Sequence, residues 1–248
     1  MTSGLEEQHQ FSRPNPRERH SSAEVSPFDD LSSAYDAWFE EEGKLPFSIE
    51  VRAFQEVLPS LPKPWLEIGV GSGRFAQALG IETGIDPSTK LAEMARGRGL
   101  TAFLGKGEQE PFHDESFGAA FLIVTFCFVD SPLGVLKDAH RILVPEGKIV
   151  LGLVLRESPW GRFYQLKKQE GHRFYKYATF YRYNDVVKLL EQAGFFVERV
   201  ISTLFQKPGG VEHMELPQSG YSRSAGFTVI VGGKDITKKR DSKYKRDG

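Results

Sequence analysis

Cysteine is nearly absent from this sequence: Cys127 is the only one in 248 residues. A single thiol excludes an intrachain disulfide and any metal site built from several cysteines, and it is compatible with a reducing cytosol. Long apolar runs are also missing, since none approaches the roughly 20 residues that a membrane-spanning helix needs. The first residues lack the apolar core of a secretory signal. The sequence therefore predicts a cytoplasmic protein with no membrane partner.

An excess of charge of either sign is missing as well. The net charge is −1, so no overall charge favours binding to nucleic acid or to an anionic membrane. Basic residues concentrate at 234–248, where seven Lys or Arg stand against three Asp, and we expect a flexible basic tail there. Residues 1–27 offer almost nothing to bury and are predicted to be disordered. The expected folded domain spans residues 28–233.

Strand and helix patterns alternate through this domain. Short apolar runs predict seven strands, at 65–70, 81–86, 100–105, 118–126, 148–155, 195–202 and 225–233. Helices are expected at 72–79, at 88–98 and at 184–193, the last with Asn184 as its N-cap. A further helix is expected to begin at Pro132 and to be ended by the Pro-Glu-Gly stretch at 145–147. Repeated strand–helix units indicate an α/β fold, with a parallel sheet and helices on both faces.

Three glycines at alternate positions follow the first predicted strand, in the stretch "WLEIGVGSGRF" (65–75). In such sheets a ligand binds beyond the carboxyl ends of the strands, at the point where the strand order reverses. Gly69, Gly71 and Gly73 tolerate positive φ and allow a ligand to approach the backbone closely. The N-terminus of the following helix would suit a phosphate or a carboxylate.

Two cofactor classes fit this turn when it is considered alone. Gly71, Gly73 and Ala76 satisfy the G-x-G-x-x-G/A pattern of dinucleotide-binding proteins. Asp86 ends the second predicted strand, and a carboxylate there accepts hydrogen bonds from both ribose hydroxyls of either cofactor. Glu67, two residues before the first glycine, is a feature that NAD binding does not predict.

Longer motifs favour one of the two classes. Four segments in order, "LEIGVGSGRFA" (66–76), "GIDPSTKLAEMAR" (84–96), "GKGEQEPFHDESF" (105–117) and "LKDAHRILVPEGKIVLG" (136–152), resemble those of a class I S-adenosylmethionine-dependent methyltransferase. The similarity is to the small prokaryotic type compared with ubiquinone- and menaquinone-pathway methyltransferases. The segment "YDAWFE" (35–40) resembles an aromatic stretch that precedes this fold. The resemblance implies a Rossmann-like, seven-stranded, mostly parallel sheet whose last strand is antiparallel.

The resemblance also implies a binding site for S-adenosyl-L-methionine. The three glycines would line its methionine part, and Glu67 would brace the turn or the ammonium group. Asp86 would hold the ribose and Pro87 would pack on the adenine. The family's adenine-binding acid aligns with Lys106, which has no acceptor, so the Gly107 backbone and Glu108 are expected to take its place. Three further residues complete the expected set: Tyr35, Val70 and Thr125.

Methyl transfer mainly requires that nucleophile, methyl and sulfur be aligned, and we predict no catalytic dyad. Of the candidate bases, His113 is expected on the surface and His140 in the core, whereas His172 is left open between a functional and a structural role. Cys127 is expected to be a small buried filler. Eight of the 22 residues in 162–183 are Phe or Tyr, which favours a substrate lid over a helix that merely packs at the sheet edge.

The function predicted from these patterns is methyl transfer to a small-molecule acceptor. Two alternatives are a non-catalytic S-adenosylmethionine-binding protein and an NAD-dependent oxidoreductase. The oxidoreductase offers no reason for the methyltransferase-like segments at 104–117 and 138–147. A nucleic-acid methyltransferase has only the basic tail in its favour, because N-P-P-Y and Pro-Cys nucleophile motifs are absent from the sequence.

Overall fold

A single sheet organises the chain. The structure is a computed structural model that describes residues 28–235, so the segment expected to be disordered and the tail from residue 236 lie outside it. Within that range eight strands form the sheet: β1 Trp65–Ile68, β2 Thr83–Asp86, β3 Thr101–Leu104, β4 Phe117–Ile123, β5 Leu143–Leu153, β6 Phe195–Thr203, β7 Gln218–Ser219 and β8 Phe227–Lys234. Their order across the sheet is β3-β2-β1-β4-β5-β8-β6-β7.

The strand directions confirm the predicted fold class, with one correction. The strands β1 to β5 pair in parallel, and the last strand, β8, pairs antiparallel with both β5 and β6. The prediction of seven strands was wrong because β7 adds an eighth, antiparallel to β6. It has only two residues, both exposed, and therefore gives no apolar signal in the sequence. β8 also extends one residue beyond the expected boundary, since Lys234 is its last residue and is buried.

Seven α-helices accompany the sheet within residues 28–235: α1 Ser32–Trp38, α2 Lys44–Gln55, α3 Arg74–Leu79, α4 Thr89–Gly97, α5 Pro132–Ile142, α6 Pro159–Gln169 and α7 Tyr183–Ala193. Side chains of α2, α3 and α4 pack in the core on one face of the sheet, and those of α5 and α7 pack in the core on the other face. Successive residues of β4 point to opposite faces, so Phe121 joins the first core and Leu122 the second. Helices on both faces are thus confirmed. No helix in the described range is long and apolar enough to cross a membrane.

Two local predictions need correction. Asn184 is not the N-cap of α7, because the helix begins at Tyr183 and the Asp185 carboxylate accepts a hydrogen bond from the Arg182 backbone N–H. The stretch 145–147 does not end α5 either. That helix ends at Ile142, and 145–147 lies inside β5, where the pairing with β4 shifts register. The bulge accommodates a Pro-Glu-Gly sequence that reads as a turn.

The strand order places the point of reversal between β1 and β4. β2 and β3 lie to one side of β1, whereas β4 and β5 lie to the other. The connection that leaves β1 runs to β2, and the connection that leaves β4 runs in the opposite direction to β5. Because they diverge, they leave a crevice at the carboxyl ends of β1 and β4. The glycine turn directly follows β1 and faces this crevice.

Candidate functional site

Two adjoining cavities open at the carboxyl ends of β1 and β4. The larger, which we name the turn cavity, has a volume of about 530 Å³ and is lined by residues that include Gly69, Gly71, Asp86, Pro87, Gly107 and Thr125. The smaller, the aromatic cavity, has a volume of about 110 Å³ and is lined by residues that include Glu50, Cys127, Tyr164, Phe174 and Tyr175. They share four wall residues: Phe28, Tyr35, Val124 and Phe128.

Most residues predicted to bind a cofactor line the turn cavity: Tyr35, Gly69, Gly71, Asp86, Pro87, Gly107, Glu108 and Thr125. Glu67, Val70 and Gly73 are not part of its wall. Val70 is buried against β2, where a Cβ on Gly84 would lie 2.6 Å from the Val70 Cβ. Sequence reasoning thus found the turn but did not separate the residues that face the cavity from those that support it.

Each glycine of the turn has a positive φ, +73° at Gly69, +54° at Gly71 and +86° at Gly73. A Cβ on Gly69 would lie 2.2 Å from the Thr125 side chain, whose hydroxyl lies 3.0 Å from the Gly69 carbonyl oxygen. A Cβ on Gly73 would lie 3.1 Å from the Ala95 Cα of α4. The first glycine therefore permits the contact between β1 and β4, and the third permits α3 to pack on α4.

The Asp86 carboxylate spans the turn and the start of α4. One oxygen accepts a hydrogen bond from the Gly71 N–H at 2.8 Å, and the other accepts from the Ser88 N–H at 2.8 Å. Burial raises the pKa of this carboxyl to about 6, although the two backbone donors oppose the rise. Each oxygen retains a second lone pair, so the group still has acceptor capacity toward the turn cavity.

Glu67 lies behind the turn with 2% of its surface exposed. Burial raises the pKa of its carboxyl well above the usual range, the charge of Asp86 adds to the rise, and a hydrogen bond from the Ala76 backbone opposes it. Its Oε2 atom has no hydrogen-bond partner among the described residues. Glu67 thus links β1 to the first turn of α3 from behind the turn.

A charged network attaches α1 to the turn. The Asp36 carboxylate accepts hydrogen bonds from Arg74 at 2.8 Å, from Ser72 at 2.6 Å and from Arg98 at 2.7 Å. Partial burial opposes its ionisation, but these donors hold the pKa of Asp36 well below its usual range. The network places the preceding residue, Tyr35, over the turn, where its ring would lie 3.4 Å from a Cβ on Gly71.

The opposite end of the turn cavity carries both signs of charge. Lys106 and Asp130 form an ion pair at 3.0 Å at its rim. One Glu108 oxygen accepts from the backbone N–H groups of Asp130 and Ser131, both at 3.1 Å. Glu108 therefore holds the start of α5, lines the turn cavity and keeps a second oxygen that can accept a hydrogen bond.

Six residues of the segment 162–183 line the aromatic cavity: Tyr164, Phe174, Tyr175, Thr179, Phe180 and Tyr181. Tyr164 of α6 stacks on Tyr175 with ring centroids 4.3 Å apart, and both side chains line the wall together with Phe174. Tyr177 from the same segment lines the turn cavity. The segment therefore contributes side chains to the walls of both cavities, and its role as a lid stays a prediction.

The candidate bases and the thiol occupy different places. His140 packs on Phe195 with ring centroids 5.2 Å apart, and His113 is exposed. His172 stacks on Tyr175 at 4.7 Å, outside the cavity walls. Cys127 lines the aromatic cavity, where burial raises the pKa of its thiol to about 12. It is thus a neutral wall residue at physiological pH and is a poor nucleophile.

Sequence reasoning missed Asp36, Glu50 and Val124. Glu50 lies on the buried face of α2 and points into the aromatic cavity, although only 6% of its surface is exposed. The sequence did contain a signal for Glu50. The buried face of α2 is formed by positions 46, 49, 50, 53 and 54, and Glu50 is an acid on this otherwise apolar stripe. Val124 has a φ of +54°, which is rare for a β-branched residue and has no sequence signature.

The residues around the turn cavity fit S-adenosyl-L-methionine. The glycines at 69 and 71 leave open a cradle beside Thr125 and Tyr35, and Asp86 retains lone pairs at the end of β2, while Glu67 supports the turn from behind the cavity wall.

Comparison with known proteins decides the family. A family model described as "Methyltransferase domain" matches residues 66–151. A solved structure from Thermotoga maritima, described as a SAM-dependent methyltransferase and "possible histamine N-methyltransferase", is 39% identical with a TM-score of 0.79. The match covers 84% of this chain and 98% of that one. The chain belongs to the class I S-adenosylmethionine-dependent methyltransferases.

Two relatives extend the comparison. An uncharacterized protein of Methanocaldococcus jannaschii is 34% identical over 210 residues, a match that covers 85% of this chain and all of that protein. A demethylmenaquinone methyltransferase of Tropheryma whipplei is 29% identical over 156 residues, covering 52% of this chain and 65% of that protein. The expected similarity to menaquinone-pathway methyltransferases is thus confirmed at a distance.

Proposed function

We propose that this methyltransferase transfers a methyl group from S-adenosyl-L-methionine to a small-molecule acceptor held in the aromatic cavity. The observation that carries the proposal is the common wall of the two cavities, formed by Phe28, Tyr35, Val124 and Phe128. A non-catalytic binding protein would need the turn cavity but has no use for a second, aromatic cavity beside it.

The turn cavity supplies the cofactor contacts in this proposal. Asp86 accepts hydrogen bonds from the ribose hydroxyls, and Pro87 with the Gly107 backbone contacts the adenine. Gly69 and Gly71 admit the methionine part, while Glu67 orients the turn from behind. Glu108 offers its second oxygen to the adenine amino group, and Thr125 holds the Gly69 carbonyl in place.

When bound, the cofactor would supply a methyl group activated by a sulfonium, and the sulfur would be left as a neutral thioether. The protein then has to hold the acceptor in line with that methyl and exclude water, since proximity and orientation provide much of the rate. Tyr164, Phe174 and Tyr175 exclude water from the acceptor, as a lid formed by residues 162–183 would. The Thermotoga maritima protein's description makes a small amine one acceptor to be tested. A cytoplasmic location, expected from the single cysteine, belongs to the same proposal.

Ligand-induced stabilisation tests the cofactor, and turnover tests the enzyme. A ligand at about 100 times its dissociation constant adds roughly 2.7 kcal/mol of stability, or about 5 to 10 °C in Tm for a domain of this size. S-adenosylmethionine and S-adenosylhomocysteine should each give such a shift and NAD none. Stabilisation by NAD alone would overturn the proposal. S-adenosylhomocysteine release that depends on an added acceptor, followed by mass spectrometry, would separate an enzyme from a binding protein.

A further inference from the structure

An acidic side chain lies in the wall of the otherwise apolar and aromatic cavity. Glu50 projects from α2 into this space, and burial alone raises the pKa of its carboxyl, with no hydrogen bond or ion pair from another residue in the range 28–235. Burying an acid without a partner costs free energy, because water that would solvate it is removed. A ligand that brings a hydrogen-bond donor or a positive charge would recover part of that cost.

The surroundings of Glu50 favour a cation over a neutral donor. The stacked rings of Tyr164 and Tyr175 and the ring of Tyr35 line the same cavity. Aromatic faces attract ammonium groups, most strongly where water is excluded. The aromatic cavity also lacks a basic side chain among the described residues of its wall, so Glu50 has no internal counter-ion there.

The volume limits the size of the ligand. The aromatic cavity measures about 110 Å³, which is smaller than the about 150 Å³ of an apolar cavity that holds benzene. The ligand is therefore limited to one small ring, and its amine chain is admitted only if the lid segment moves outward. A two-ring quinone would require a larger outward movement.

We propose that Glu50 binds the protonated nitrogen of a small single-ring amine in the aromatic cavity, and that such amines are the acceptor class. The assignment of the amine as acceptor rests on the proposed function, whereas its binding to Glu50 does not. In this arrangement the carboxylate pairs with the ammonium, and the rings of Tyr35, Tyr164 and Tyr175 surround the apolar part. For transfer the ammonium would first give one proton to the Glu50 carboxylate, because only the neutral nitrogen has the lone pair that takes the methyl, while the sulfur would keep the electron pair of the broken bond.

Proton release provides a readout that is independent of catalysis. Burial raises the pKa of Glu50 to about 8, so at pH 7 its carboxyl is mostly protonated before a cation binds. The other titratable groups in the wall are Tyr35, Cys127, Tyr164, Tyr175 and Tyr181, and burial raises the pKa of each. They stay neutral near pH 7, so a proton released there on binding comes from the Glu50–amine pair.

Isothermal titration in buffers of different ionisation enthalpy measures this proton. Phenethylamine is titrated into protein saturated with S-adenosylhomocysteine, and phenethyl alcohol serves as the neutral isostere. The wild type should release most of one proton per amine at pH 7 and bind the alcohol at least about tenfold more weakly. Glu50→Gln should weaken amine binding by about 10- to 100-fold and abolish the release.

Glu110→Gln is the matched control, because Glu110 is equally buried but belongs to neither cavity wall. It should leave both amine affinity and proton release unchanged. Equal affinity for the alcohol, no proton release in the wild type, or wild-type behaviour of Glu50→Gln would overturn the inference. The wild-type measurements decide it even if the variant does not fold. Failure of S-adenosylhomocysteine to bind the wild type would instead refute the proposed function.

Discussion

Replacing Asp86 tests the placement of the ribose most directly. In the proposed complex its carboxylate accepts from two ribose hydroxyls, and hydrogen bonds to a charged group contribute roughly 1.5 to 3 kcal/mol. Asp86→Ala should therefore weaken S-adenosylmethionine binding by about 10- to 100-fold. Asp86→Asn keeps the shape but loses the charge, so its affinity should fall between those of the wild type and Asp86→Ala.

The same substitution should also lower stability. Asp86 accepts from the Gly71 and Ser88 N–H groups, and its own surface is only 6% exposed. Each buried donor left without a partner costs about 1 to 3 kcal/mol. Asp86→Ala should then lose about 2 to 6 kcal/mol in free energy of unfolding, so binding has to be measured well below its Tm. Glu82→Ala, an exposed acid just before the other end of the same strand, is the control and should change neither quantity.

Affinity should also depend on pH through this group. Burial raises the pKa of Asp86 to about 6, and hydroxyl donors bind better to its ionised form. S-adenosylhomocysteine affinity should therefore fall about tenfold between pH 7 and pH 5, and Asp86→Asn should remove most of that change. Calorimetric titration measures both quantities. Wild-type affinity in Asp86→Ala, or the same pH dependence in Asp86→Asn, would mean that the ribose is held elsewhere.

The remaining predictions concern α1, the lid segment and the buried acids. Asp36→Asn should lower kcat in steady-state assays and weaken S-adenosylmethionine binding only a few-fold, because it loosens the attachment of α1. Replacing Phe174 and Tyr175 with Ala should raise the acceptor KM or cut kcat without changing cofactor affinity by titration, and hydrogen exchange in 162–183 should slow when both ligands bind. Burial, with the neighbouring Asp138 adding to it, raises the pKa of Glu110 to about 10, so the folded state keeps a proton that the unfolded chain loses above about pH 4.5. The free energy of unfolding should thus fall by up to about 1.4 kcal/mol per pH unit for this group as pH rises from 5 to 9, and Glu110→Gln should flatten the fall in denaturant titrations.

The fold could be predicted because its signals are local. Each strand of four or more residues coincides with a short apolar run in the sequence. The helices α4 and α5 begin directly after Ser88 and Ser131, whose hydroxyls accept hydrogen bonds from the Leu91 and Gly134 backbone N–H groups. The two-residue strand β7 and the bulge inside β5 carry no comparable signal, because both depend on how neighbouring strands pair. Propensity and periodicity describe a segment, whereas register is decided by contacts between segments.

The site divides in the same way. Gly69, Gly71 and Asp86 were found because each follows directly from a strand end, and strand ends can be read from sequence. Asp36 and Glu50 were missed because their roles depend on what faces them: Arg74 and Arg98 in one case, and a ring of aromatic side chains in the other. Helix α2, which carries Glu50, was itself not predicted, so no position on it could be assigned to a cavity.

The shared wall determines which element controls the approach of the two ligands. Transfer needs the reacting atoms about 3 to 3.5 Å apart, so the two cavities have to be continuous when both are filled. Val124 directly follows β4, and its N–H donates a hydrogen bond to the Gly152 carbonyl of β5 at 2.9 Å. Tyr35, in contrast, belongs to α1, a short helix outside the sheet. The position of Tyr35 is therefore set by the hydrogen bonds of Asp36 rather than by strand pairing. Loosening that attachment changes the distance between the ligands while most of the turn cavity stays in place, which is why we expect kcat to fall more than cofactor affinity.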